Sequence, residues 1–111
     1  MKIAGNWRIV EMELWATEDI DLLGPAFINF ARDGTGSFRF IAVEGWMDCR
    51  DAPRDGRPGA EFTWDGNDEG SPTSGHGWVV LDDGALVGRI YIHLGDDSAF
   101  RAVRAGRTAE V

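Results

Sequence analysis

The sequence predicts an all-β protein, an eight-stranded antiparallel meander barrel with at most one short helical turn after its first strand. Three observations predict it. Fifteen glycines, five tryptophans, six phenylalanines and one tyrosine are spread along 111 residues, a composition that suits short strands joined by tight turns and argues against disorder. Apolar residues alternate with polar ones at period two in run after run. Between the runs stand Asp-Gly and Gly-Asp clusters. Such short connections make each strand pair with the next, and eight strands can close without leaving an unpaired edge. At this length one domain is expected over 1–111, burying roughly 65% of its unfolded surface. An ordered barrel is expected over 5–104, with a polar tail over 105–111 that frays.

The first strand begins at Gly5, where a glycine permits a turn or a close approach, and Trp7 can then lie under one end of the sheet like a plug. Trp7 and Ile9 share a face, but Val10, Met12 and Leu14 form the apolar set afterwards. That slip implies a bulge near Val10-Glu11. Thr17 to Leu23 is too short and acidic for a stable helix; Thr17 can cap one turn, and Gly24-Pro25 ends it.

Ala26 to Arg32 alternates as a second strand, Asp33-Gly34-Thr35-Gly36 is a hairpin turn, and Ser37 to Val43 is the third strand. A fourth, Glu44 to Arg50, continues after a kink at Gly45, with Trp46 and Asp48 on one side and Met47 and Cys49 on the other. Asp51 to Gly59, with two prolines and two glycines, reads as a mobile loop. Ala60 to Trp64 is the fifth strand, and Asp65 to Gly75 reads as a long polar loop. His76 to Leu81, Ala85 to Leu94 and Ser98 to Arg104, separated by turns at Asp82-Asp83-Gly84 and Gly95-Asp96-Asp97, complete the meander.

The Gly5-Asn6-Trp7 opener resembles that of the lipocalins and their calycin relatives, including the fatty-acid-binding proteins. This resemblance implies a small ligand-binding barrel in which an arginine of the last strand, Arg104 or else Arg101, packs over Trp7. Lipocalins are longer, and the fatty-acid-binding proteins insert a helix pair where this chain has only Ala16 to Leu23. From Gly5 to about Arg104 the chain also resembles a group of short bacterial proteins of unassigned function. That likeness rests on Trp7 to Trp15, Asp33-Gly34-Thr35-Gly36 and the run from His93 to Phe100, and it implies a fold but no activity.

Charge and cysteine content remove several classes of function. The formal charge is −8, and Lys2 is the only lysine among 11 basic residues, so no basic stripe exists for a nucleic acid or an anionic membrane surface. Cys49 is alone, which rules out an intrachain disulfide. The N-terminus lacks an apolar run of signal-peptide length, and no stretch approaches the ~20 apolar residues of a spanning helix, so a cytoplasmic protein is expected.

Phe38, Phe40, Trp46, Phe62, Trp64, Trp78, Ile90, Ile92 and Phe100 are expected to face inward. An eight-stranded barrel is only wide enough for side chains or one small ligand, so these rings should fill it and leave at most a small cavity at one end. Phe40, Trp46, Phe62, Trp64 and Trp78 would line that mouth, while Gly5, Trp7 and Arg104 would close the structure. Arg39, Glu61, Arg89, Tyr91, His93 and either Arg101 or Glu13 alternate with the inward set and should form a solvated outer face of mixed charge, where single ion pairs contribute little.

Asp65 to Gly70 approaches the calcium-loop pattern, but its twelfth position is His76 and its flanks read as strand, so its polar residues serve the turn itself. His76 and His93 have no histidine or cysteine at ligand spacing, and no phosphate-cradling glycine loop occurs, so neither metal nor cofactor is expected. Cys49 has an acidic and a basic neighbour, Asp48 and Arg50, whose effects on its thiol oppose each other. Three functions follow. The first is a non-catalytic barrel that takes a small apolar or aromatic ligand at one end. The second is a partner-binding module with a filled core, in the simplest case a homodimer, that uses Trp15 and the outer strands. The third is a hydrolase or isomerase using Glu44, Asp48, Asp65 or His76 at the mouth.

Overall fold

The first strand, β1 (Gly5–Met12), buries Trp7, Ile9 and Met12, a spacing that a strict period of two does not allow. A register shift against the last strand between Ile9 and Glu11 explains it. This bulge adds one residue to β1 at the place the sequence indicates and brings Met12 back to the inner face.

The computed structural model describes residues 1–105, and the frayed tail expected over 105–111 therefore lies, from 106 on, outside the described residues. After β1 come α1 (Thr17–Ile20), β2 (Phe27–Phe30), β3 (Thr35–Phe40), β4 (Val43–Asp51), β5 (Gly59–Asp68), β6 (Ser71–Asp82), β7 (Ala85–Ile92) and β8 (Asp97–Arg104). Each strand pairs antiparallel with the next, and β8 returns to β1, so the eight strands form a closed barrel in chain order. Among the described residues no helix is long and apolar enough to cross a membrane.

Three local expectations are corrected, and the first two corrections change what faces outward. The third and fourth strands are not one run with a kink at Gly45. Phe40 pairs with Val43 across a tight turn at Ile41-Ala42, where Ile41 takes a φ of +54°. A left-handed β-branched residue is costly. Surrounding bonds hold it, since the Ile41 amide donates to the Ile20 carbonyl at 2.8 Å and the Ala42 carbonyl accepts from Glu69 at 3.2 Å. Paired residues share a face, so Val43, Gly45, Met47 and Cys49 follow Phe40 inward, and Trp46 with Asp48 turns out. Trp46 is 56% exposed.

The polar stretch 65–75 is not a loop. β5 and β6 run on through it as a long hairpin reversed at Glu69 and Gly70, both left-handed. Register across this hairpin sets Gly77 opposite Phe62 and Gly75 opposite Trp64, so the inward positions of β6 facing these two rings are glycines and Trp78 points outward. A Cβ on Gly77 would lie 2.5 Å from the Phe62 ring, which uses the vacated space. The third correction is at α1, whose N-cap is Ala16 with no side-chain cap bond; Thr17 is the first residue of the turn and does not cap it.

Side chains occupy the barrel from end to end. Phe30, Phe38, Phe40, Phe62, Trp64 and Phe100 are buried, with Phe38 edge-on to Trp64 at 5.0 Å and stacked on Phe40 at 5.8 Å. Below β1, the residues before Gly5 fold under the barrel: Ile3 is buried and its carbonyl accepts from the Trp7 indole at 2.9 Å. Arg104 lies over the Trp7 ring at 4.1 Å and donates to the Ala4 carbonyl at 2.7 Å. Gly5 is required here, because its φ is +125° and a Cβ would come within 2.6 Å of the Arg104 guanidinium. At the opposite end α1 buries Ile20, and Trp15 stacks on Phe40 at 5.5 Å.

Candidate functional site

With both ends covered, the chemistry-bearing residues collect on the outer wall formed by β4 to β7. Strand register builds two adjacent rows there. Arg50, Glu61, Trp78 and Arg89 stand side by side across the four strands, and Asp48, Thr63, His76 and Tyr91 form the next row. All eight belong to the outward set, because Cys49, Phe62, Gly77 and Ile90 between them face the core.

A cleft of about 650 Å³ lies over these rows, bordered by Asp48, Arg54, Glu61, His76, Trp78 and Tyr91. The rings of His76 and Tyr91 stack with centroids 4.4 Å apart and planes 11° from parallel. Arg54 reaches in from the connection between β4 and β5 and lays its guanidinium over the Trp78 ring at 4.0 Å. That connection is itself tied down. Arg54 and Arg57 exchange backbone hydrogen bonds of 3.0 and 2.8 Å, and Arg57 pairs with Asp82 at 3.0 Å. Trp78 also borders a second cleft of about 520 Å³ on its other side, over Val87, Arg89 and Phe100. There Arg89 bridges Glu13 at 3.2 Å and Asp97 at shorter range.

Of the aromatic residues expected to line a mouth, Phe40, Phe62 and Trp64 are buried in the core, although Phe62 also borders the larger cleft from below. Trp64 donates its indole N–H to the Tyr91 carbonyl at 3.2 Å, tying the core to the wall beneath the stacked pair. Trp46 and Trp78 are on the outside, in different places, and only Trp78 borders the cleft. Glu44, Asp48, Asp65 and His76 are exposed on the wall and do not converge at a mouth. Asp48 and His76 both border the cleft, two strands apart on either side of Thr63. Arg54 is the residue that sequence reading misses, because a proline- and glycine-rich connection does not reveal which strand it folds against.

Nothing in the cleft forms a nucleophile–base–orienter set. Among the described residues no three His, Cys, Asp or Glu side chains come together to hold a metal ion. Cys49 is buried behind the wall, and its thiol is pushed up to about 11, first by burial and then by the Asp48 carboxylate, so it is protonated at neutral pH. What the cleft offers instead is ring surface beside charged hydrogen-bonding groups of both signs.

Comparisons with protein-family models, with curated proteins and with solved structures find no match to this chain. The closed eight-stranded meander is consistent with the lipocalin-like resemblance, while the likeness to short bacterial proteins rests on the sequence motifs alone.

Proposed function

We propose that this protein is a non-catalytic binding barrel that takes a small ligand with an apolar or aromatic face, and that the ligand sits on the outer wall. One observation carries this reading. Trp78 and the stacked His76–Tyr91 pair border a single cleft of about 650 Å³, within the size range of small-molecule sites. The ring-filled interior, and the wall cleft's size of about 650 Å³ against about 330 Å³ for a cleft at the Trp7 end beside Met1, Ile3 and Arg57, support the wall over that end as its location.

The test is a thermal-shift and fluorescence panel of fatty acids, flavins, haem, aromatic metabolites and sugars. A compound that binds the folded state raises the unfolding midpoint by mass action. Its effect should disappear in Trp78→Ala and persist in Trp46→Ala. A ligand that binds Trp78→Ala unchanged, or a panel in which nothing binds, would sink the proposal.

The interaction-module reading has its own supporting observation. Leu14, Leu22, Leu23, Trp46 and Leu94 are large apolar side chains left exposed, and all but Trp46 lie on connections at the α1 end. Sedimentation that shows a concentration-dependent dimer, lost on replacing Leu22 and Leu23 by Ser, would favour it.

A further inference from the structure

On the premise that the wall cleft is a binding site, we infer that its ligand is a neutral oligosaccharide. The first argument is the cleft's position. A wholly apolar ligand needs most of its surface enclosed, and this cleft lies on the outside of a sheet. Its ligand must keep a solvated side and gain its affinity from directional hydrogen bonds together with one apolar face on a ring.

The second argument is charge. Asp48, Glu61, Arg50 and Arg54 all border the same cleft, two of each sign and with Arg50 3.8 Å from Asp48, on a protein whose formal charge is −8. No net field selects an anion, and the overall charge repels one. Hydroxyl groups both donate and accept, so they can satisfy carboxylates and guanidiniums together, with the added strength of an ionised partner. Among the described residues neither Glu61 nor the Arg54 guanidinium has a hydrogen-bond or ion-pair partner, so both keep that capacity. Arg54 is also placed at the cleft, its guanidinium carbon 4.0 Å from the centroid of the Trp78 ring.

The third argument is extent. The clefts of about 650 and 520 Å³ share Trp78 as a common border, so the surface continues from β4 to β8 on both sides of one indole. A chain of sugar rings, each presenting C–H faces and hydroxyl edges, fits such a run better than one compact molecule.

An array of neutral and acidic glycans, followed by fluorescence titration with cellopentaose, maltopentaose, xylopentaose and chitopentaose, tests this. Flavin and indole form the comparison arm. Binding of at least one neutral oligosaccharide is expected, with an affinity that salt does not change. Trp78→Ala and Glu61→Gln should each weaken it by roughly tenfold or more, a change well outside titration error. Arg54→Ala, which leaves the wall intact, should weaken it as well, and Trp46→Ala should not. Trp78-dependent binding of flavin or indole without sugar binding would overturn the oligosaccharide and leave the site standing. A salt-sensitive preference for acidic glycans would also overturn it, and binding by neither arm would remove both the ligand class and the site.

Discussion

Trp7 shows how much one side chain can carry in a barrel this narrow. Its ring is fully buried, its N–H is satisfied by Ile3, and Arg104 covers the face that the strands leave open. Truncation would leave a cavity, strand the Ile3 carbonyl and free the arginine, so Trp7→Ala should cost ~3–5 kcal/mol. A chemical-denaturation midpoint equal to that of the wild type would contradict this. Readability differed sharply between residues. Phe38, Phe40, Phe62 and Trp64 could be placed inward by alternation, because their strands carry polar residues at the positions between them. Trp46 and Trp78 could not. Their inward neighbours include Gly45 and Gly77, which add no hydrophobicity to the inner face, and the large outward rings dominate any count of apolar residues. Glycine at these positions reflects the space that Phe38 and Phe62 take up, a fact that only the paired strand supplies.

Among the elements, the turns with a glycine in a short polar cluster were legible, as at Asp33-Gly34 and Asp83-Gly84. The reversal at Ile41-Ala42 was not, since nothing in an Ile-Ala pair signals a left-handed residue. Nor was the β5–β6 hairpin, whose far half is polar because it lies on the wall. The connection through α1 was legible as one helical turn, but what holds it was not. Arg8 forms a two-pronged bond with Asp21, at 2.9 and 2.6 Å, and Asp21 also accepts from the Ala26 amide at 2.9 Å. The hydrogen bond from Arg8 holds the Asp21 carboxyl below its usual value, against a smaller opposing effect of burial. A depressed carboxylate stabilises the fold fully above the ordinary carboxylate range and ceases to as pH falls through the lowered folded value. Asp21→Asn should therefore cost about 1 kcal/mol at neutral pH for this partly exposed pair and flatten the acid limb of the stability curve. Identical acid limbs for variant and wild type would show that this contact does not pin α1.

For the molecule as a whole, closure determines where recognition can occur. Strand pairing removes every sheet edge, the residues before β1 and those around α1 cover the two ends, and rings fill the space between. Under the binding-barrel proposal, recognition therefore falls to the wall and the connections. The five tryptophans sample these environments separately: Trp7 and Trp64 sit in the core with bonded indoles, Trp15 lies against the α1 end, Trp46 is on open wall, and Trp78 lies between the clefts. Their indole N–H signals in a two-dimensional nitrogen–proton spectrum can therefore locate a bound molecule without any mutation. During titration with whichever compound raises the unfolding midpoint most, the Trp78 signal should move while those of Trp7 and Trp46 stay in place. Movement of the Trp7 and Trp64 signals with Trp78 unchanged would mean that the ligand enters the barrel, and the packed-interior, outer-wall account would be wrong.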